Sequence, residues 1–339
     1  MRIKVIAVLP LALSITFLSL SNAIAYDRPI VAVSISGILP LVRPIAGESV
    51  DIVVLLPSGV EAHRYTLKPD IVEKAMKADL IVHTGHIPWE VELAKIVAKE
   101  KGVEVSEISL DLLHDLGLKL LRTPSVNEPN VHAFWLLPEN CKKIAYGVAI
   151  RLSKIDPLNR ELYLERAEEF MNNVDLFFEE ALKEVKEKGL TGKRVVAGFY
   201  AEQYVAESLG LKTGLILMRE GGLSPKTLEI ARRGLLNGTF IAILRSEIAE
   251  NFPQLSSQIE ALSYETGAPI YDVRVFSVGG VYDYISLMSY NLGSITSLRT
   301  ENVNVAEEGF LFYLAVLLAI FAGAELIIIA FLHKRLSER

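Results

Sequence analysis

The chain has 339 residues, 35 Lys and Arg against 41 Asp and Glu for a net charge of −6, 51% hydrophobic residues and a single cysteine. That balance, with no basic patch, excludes a nucleic-acid partner, and the lone Cys141 excludes both an internal disulfide and a thiolate metal cluster. The length fits two domains of ordinary size plus targeting segments.

Residues 1–25 place Arg2 and Lys4 before an apolar run and end in Ala-Ile-Ala at Ala25, the pattern of a cleaved signal peptide. Over 26–137 the runs PIVAVSIS, VDIVVLLP and DLIVHTG read as strands. They alternate with the helical stretches ILPLVRPIAG, PDIVEKAMKA and WEVELAKIVAKEKG. Strands separated by helical patterns imply crossovers and a parallel sheet covered on both faces. A second series, KRVVAGFY, TFIAILRS and PIYDV, predicts another such lobe over 190–296.

The interlobe segment 138–189 carries one long helix. Asp156 is placed as its N-cap, Pro157 at its first position and Gly189 at its far end. Leu158, Leu162, Phe170, Val174, Phe177, Phe178, Ala181, Leu182 and Val185 recur between them at helical spacing. The stretch from Pro157 to Lys188 would run about 48 Å. The predicted fold class is therefore α/β: two lobes, each a parallel sheet flanked by helices, joined by one long backbone helix.

Residues 297–309 show no apolar periodicity and read as a tether. Phe310 to Leu332 then runs 23 residues with Glu325 as the only charge, long enough to cross a hydrocarbon core of about 30 Å. The tail 333–339 brings His333, Lys334, Arg335 and Arg339, which hold it in the cytoplasm and the body outside. Glu325 reads as sitting near the inner interface or as contacting another membrane subunit. No cysteine stands at the end of the signal, so the carboxy-terminal helix, rather than a lipid, is expected to anchor a single-pass protein of the cell membrane.

In open α/β sheets ligands bind beyond the carboxyl ends of strands. His63 follows VDIVVLLP, His132 lies in NEPNVHAFWLLPEN, and Asp272 follows PIY. Imidazole and carboxylate are the usual zinc or manganese donors when thiolates are absent. Taken singly, each has a plainer explanation, since loop histidines often cap helices or bond surface groups and Asp272 suits a turn. His83 and His86, in HTGHIPWE, form either an accessory metal pair or one backbone-bonding and one solvent-facing residue. Gly85 and Pro88 argue against a regular helix there. His114 reads as a helix-surface residue. Asn237-Gly-Thr239 suits a glycosylation acceptor or a turn. No G-x-S-x-G elbow, Walker loop or HExxH is present, and no enzyme is expected.

Four ordered stretches carry a family resemblance. SGVEAHRYTLKPDIVEKAMKADLIVHTG resembles the segment of the TroA-like metal-binding proteins of ABC importers in which a histidine precedes Tyr-x-x-x-Pro and an Ala-Asp-Leu strand. NVHAFWLLPEN is similar to that family's second ligand segment, with one extra residue between His132 and Trp135. DPLNRELYLERAEEFMNNVDLFFEEAL resembles its backbone helix, and APIYDVRVFSVGGVYDYISLMSYNL its final ligand segment. The resemblance runs from about Pro29 to Ile295.

It implies a two-lobed receptor that holds Zn²⁺ or Mn²⁺ as transported ligand between its lobes and delivers it to an ABC permease and its ATPase. His63 and His132 would be first-lobe ligands and Asp272 a second-lobe ligand. One departure stands out: the family's third ligand falls here on Phe199, which cannot ligate. Glu202, three residues on, is the proposed replacement, with Tyr200 a poorer one; Glu202 reads otherwise as a solvated helix-start acid. The expected function is an extracytoplasmic, membrane-anchored substrate-binding subunit. The alternative, favoured by Phe199, is a surface adhesin or sensor on the same scaffold with weakened or lost metal binding. A metallohydrolase is disfavoured because no general base stands beside the ligands.

Overall fold

The computed structural model describes residues 27–57, 62–124, 126–219, 221–277 and 279–297. The predicted signal peptide at 1–25, the tether beyond Ser297, the membrane helix at 310–332 and the tail at 333–339 lie outside the described residues. Among the described residues no helix is long and apolar enough to cross a membrane.

The chain divides into two compact units. The first takes in the described residues up to Leu120, with Leu137–Leu176 and Gly279–Tyr284; the second takes in Leu121–Leu136, the described part of Phe177–Val278, and the described chain from Ile285 on.

In the first unit β1 (Ile30–Ile35), β2 (Asp51–Leu56), β3 (Leu80–His83) and β4 (Ser109–Asp111) form a parallel sheet in the order β2-β1-β3-β4. The strands are short apolar runs because both faces are covered: Val31, Ala32, Val33, Leu80, Ile81 and Val82 are all fully buried. Helices Leu39–Ala46, Pro69–Met76 and Pro88–Lys101 provide the crossovers. Two of them, Pro69–Met76 and Pro88–Lys101, begin at a proline whose missing N–H costs nothing at that position. Ile35 pairs with Leu56 and His83 with Asp111, so the loops that follow these strands leave from one edge of the sheet. The strand order reverses between β1 and β3, which opens a crevice at their carboxyl ends.

The long helix spans Arg160–Glu187, 28 residues, after a 3₁₀ turn at Pro157–Asn159. It thus begins later than the proline pattern predicts. Asp156 makes no side-chain cap; its Oδ2 instead accepts hydrogen bonds from Asn159 Nδ2 at 2.8 Å and Tyr163 Oη at 2.6 Å. The buried stripe is Tyr163, Ala167, Phe170, Val174, Phe178, Ala181 and Val185, spaced by three or four residues. Leu158 and Leu182, predicted to belong to it, are exposed at 84% and 43%. Leu158 lies in the 3₁₀ turn before the helix starts, and Leu182 follows Ala181 on the outer side. Gly189 does close the helix, in a left-handed conformation at φ 70°.

In the second unit β5 (Arg194–Ala197), β6 (Lys212–Ile216), β9 (Ile243–Ser246) and β10 (Ile270–Val273) form a parallel sheet ordered β10-β9-β5-β6, beside a hairpin of β7 (Met218–Arg219) and β8 (Gly222–Leu223). Val196, Leu215, Ile243, Leu255 and Ile259 form its core, and Phe199 packs against them. Here the order reverses between β5 and β9, so the turn into helix Ala201–Ser208 faces the end of β9.

Candidate metal-binding residues

In the first unit His63 sits in the 3₁₀ turn Ala62–Arg64, in the loop that leaves β2. That turn is fastened at Ala62, whose carbonyl oxygen accepts from Trp89 Nε1 at 3.0 Å and from Tyr65 N at 3.3 Å. Tyr65 also meets the Trp89 ring edge-on, with centroids 5.5 Å apart.

His86 lies in the loop after β3, and its ring is tilted against that of His63 with centroids 5.2 Å apart. The spacing is informative. A Zn–N bond of about 2.1 Å plus a ring radius of about 1.1 Å puts an imidazole centre about 3.2 Å from an ion, and two such centres at the tetrahedral angle stand about 5.2 Å apart. The separation of the pair is compatible with a shared ion.

The local sequence enforces this loop. Gly85 has φ 86°, and a Cβ there would come 1.9 Å from Asp111 Oδ1, so only glycine fits. Glu90, fully buried at the start of the following helix, accepts from the Thr84 hydroxyl and from Gly85 N at 3.2 Å. Burial pushes its carboxyl above the usual range, and the hydrogen bonds oppose that shift. His83, the last residue of β3, is buried; burial holds its imidazole below the ordinary pKa, against the pull of the nearby Asp111 and Asp115 carboxylates. So the two histidines part company: His86, in the loop, meets His63, and His83 stays within the sheet.

In the second unit the His132 ring lies flat on the Tyr200 ring, with centroids 4.6 Å apart and 9° between planes, and Phe199 meets it edge-on at 5.8 Å. The backbone N–H of His132 donates to Asn130 Oδ1 at 3.0 Å. Ala133 follows at φ 55°, an uncommon conformation for a residue with a Cβ. It is one of the two residues between His132 and Trp135, where the resemblance has one, and the bend it makes carries the chain into the buried turn Phe134–Leu136.

The two predicted carboxylates have other partners. Glu202 is not a solvated helix-start acid: it is fully buried, Oε2 accepts from Phe199 N at 3.0 Å, and Oε1 accepts from Ser246 N at 3.1 Å and Ser246 Oγ at 2.8 Å. Burial raises its pKa and the hydrogen bonds oppose the rise. It ties the turn after β5 to the end of β9. Asp272 stands inside β10 rather than in a loop beyond it, in register with Arg245 of β9. Arg245 donates to it from Nε at 2.7 Å and from Nη2 at 3.1 Å. Phe199 stacks on Phe252 at 5.9 Å and belongs to the apolar packing of the unit.

Sequence reasoning pairs His86 with His83 rather than with His63, and it gives no role to Arg245, the partner of Asp272, or to Asn130, which bonds His132. A lone arginine inside the strand TFIAILRS was the available signal for the Asp272 contact. The others depend on loop conformations that spacing does not disclose.

Two parallel α/β units, with imidazoles in the loops after β2 and β3 of the first and at His132 of the second, have the make-up of a two-lobed solute-binding protein. The chain belongs to the family described as "ZnuA: Zinc-uptake complex component A periplasmic", which matches residues 31–298, in keeping with the TroA-like resemblance. Among its relatives, the manganese ABC transporter substrate-binding lipoprotein PsaA of Streptococcus pneumoniae is 25% identical over 274 residues, 77% of this chain and 85% of that protein. A metal ABC transporter substrate-binding lipoprotein of Lactococcus lactis is 24% identical over 283 residues, 79% of this chain and 88% of that one. The same fold is seen in the Mn-bound periplasmic metal binding protein from Candidatus Liberibacter asiaticus, at TM-score 0.63 and 20% identity, over 80% of this chain and 99% of that one. The substrate-binding protein FpvC of Pseudomonas aeruginosa, in complex with Mn²⁺, matches at TM-score 0.64 and 20% identity, over 80% and 98%. Members of this family bind and hand on a substrate and are not enzymes.

Proposed function

We propose that this protein is the extracytoplasmic substrate-binding subunit of a metal ABC importer and that its cargo is a divalent transition-metal ion. His63 and His86 are the proposed imidazole ligands of the first unit on their ring contact, and His132 is proposed beside them on its place in the ligand segment NVHAFWLLPEN. The observation that carries the reading is the His63–His86 pair, whose ring separation of 5.2 Å suits two ligands of one tetrahedral ion. Three imidazoles favour Zn²⁺ over Mn²⁺, because manganese prefers oxygen donors and zinc stands above it in intrinsic affinity for nitrogen sites. The proposal leaves Glu202 as an internal brace, since its carboxylate is engaged by Phe199 and Ser246. Asp272 is kept as a fourth ligand that must first leave Arg245.

The proposed partners are a permease and its ATPase, a reading supported by relatives that are named as substrate-binding lipoproteins of ABC transporters. Anchorage through 310–332 is proposed on the sequence alone. It would hold the binding units beside the permease and raise their effective concentration there.

The test is elemental analysis of the full-length protein after equilibration with Zn²⁺ and Mn²⁺ and removal of excess ion. One zinc per chain, retained against a tenfold excess of manganese, supports the reading. A protein that retains neither ion sinks it and favours an adhesin or sensor, for which the engaged Phe199 and Asp272 are the argument.

A further inference from the structure

We propose that Asn130 is a positioning residue that fixes His132 in the tautomer protonated on Nδ1, so that Nε2 is the atom His132 presents to the ion. The inference rests on the functional reading above, in which His132 is a ligand, and it adds which nitrogen ligates and what selects it.

The orientation of an asparagine amide is settled by neighbours whose hydrogen-bonding role cannot change. Asn130 is buried and has two such neighbours. The Tyr200 carbonyl oxygen can only accept, and it lies 2.9 Å from Asn130 Nδ2. The His132 backbone N–H can only donate, and it lies 3.0 Å from Asn130 Oδ1. Oδ1 therefore faces His132. The same oxygen lies 3.3 Å from His132 Nδ1, and because an amide oxygen has no proton to give, Nδ1 must carry one. In neutral imidazole the lone pair then resides on Nε2.

The amide cannot turn over without breaking a chain of bonds behind it. Its Nδ2 also donates to Gln203 Oε1 at 2.9 Å, and Gln203 is fixed in its turn because its Nε2 donates to the Arg122 carbonyl oxygen at 2.9 Å and to Glu207 Oε1 at 3.3 Å. Tyr204, fully buried on the same helix, donates its hydroxyl proton to the Asn130 carbonyl oxygen and accepts from Leu121 N at 3.1 Å. Helix Ala201–Ser208 thus holds both ends of Asn130, and Asn130 holds the imidazole from its Nδ1 edge. The Tyr200 ring, stacked on the imidazole face, restricts the tilt that the hydrogen bond alone would allow.

A ligand held in one tautomer and one orientation loses little freedom when the ion arrives, and partners of this kind are typically worth ~10–100-fold in metal affinity. Asn130→Ala should remove the preference. Asn130→Ser should keep an acceptor for the His132 backbone N–H, as serine does in such turns, yet be too short to reach the ring; it guards against a fold defect in the alanine variant.

The test is long-range ¹H–¹⁵N NMR of the metal-free, full-length protein labelled at histidine, recorded at alkaline pH, with zinc affinity read in parallel by competition with a chromophoric chelator. The expected wild-type spectrum shows His132 with a protonated Nδ1 and a pyridine-like Nε2, and the expected variant spectra show a mixture of tautomers with ~10–100-fold weaker zinc binding. A wild-type His132 protonated on Nε2 overturns the inference without recourse to any variant. So does an unchanged tautomer and affinity in both variants. A wild type with the expected spectrum that binds no zinc would instead defeat the functional reading, which keeps the two failures distinct.

Discussion

Arg245 holds Asp272 through two hydrogen bonds from adjacent strands, Nε to Oδ1 at 2.7 Å and Nη2 to Oδ2 at 3.1 Å. The strand register makes this contact, because Asp272 and Arg245 are paired residues of β10 and β9. The carboxylate reinforces the guanidinium charge, and Glu260 adds a further ion pair at 3.2 Å. An ion that recruits Asp272 must therefore displace a cation already there. Arg245→Gln should tighten binding severalfold, and more for Mn²⁺ than for Zn²⁺, since the released group is a hard oxygen donor. Affinities of the variant equal to wild type for both ions would show that Asp272 serves only to join the two strands.

His86 is the residue on which the zinc preference turns. If it ligates beside His63, His86→Ala and His63→Ala should each weaken zinc binding by more than about tenfold, and the double variant should lose little beyond the worse single one once the pair is broken. His83→Ala is the internal control: its ring sits buried at the end of β3, so its loss should lower stability. Isothermal titration of the variants decides the matter, and a His86→Ala protein with wild-type affinity removes His86 from the ligand set.

How far the residues announced this structure depends on how local each cause was. β1 and β3 were legible because burial on both faces leaves a nearly continuous apolar run, whereas β4, only Ser109–Asp111, is too short to show any pattern. β6 reads KTGLI and carries a charge and a glycine, so it too passed unnoticed. His63 and His132 could be named from motif resemblance, His63 in the loop after an apolar strand and His132 in the loop that leads into the next helix. The His63–His86 pair could not, because it depends on a left-handed Gly85 and on the Asp111 carboxylate that forbids any larger residue there. Neither reading of Glu202, replacement ligand or solvated helix-start acid, anticipates its place as a brace, for a related reason: only the neighbouring strand end, with Ser246 as donor, turns it inward.

Glu90 makes stability depend on pH in a direction that can be worked out. Its folded pKa is raised by burial above the unfolded value of about 4.3. Its contribution is therefore fully present below that unfolded value and is lost as pH rises through the folded one, because the native state then holds a proton the unfolded chain has released. Glu90→Gln keeps an oxygen that can accept from Thr84 and Gly85 but removes the titration. The stability of wild type relative to the variant should fall as pH rises from about 4 to 8 in denaturant unfolding of the metal-free protein. Parallel stability curves for the two proteins would mean that the Glu90 carboxyl titrates alike in the folded and unfolded chains.

Ala133 tests whether the bend after His132 is under strain. A residue with a Cβ held at φ 55° sits about 1 kcal/mol above an ordinary backbone conformation. Glycine would relieve that cost but add freedom to the unfolded chain, so Ala133→Gly should change stability by no more than about 0.5 kcal/mol. A β-branched side chain is far less tolerant of positive φ, and the position is buried, so Ala133→Val should destabilise by about 2 kcal/mol or more. Urea midpoints measured for the three proteins give the answer. A valine variant as stable as wild type would show that the bend relaxes out of the left-handed region, and His132 would then have to be held by Asn130 and Tyr200 without help from the chain that follows it.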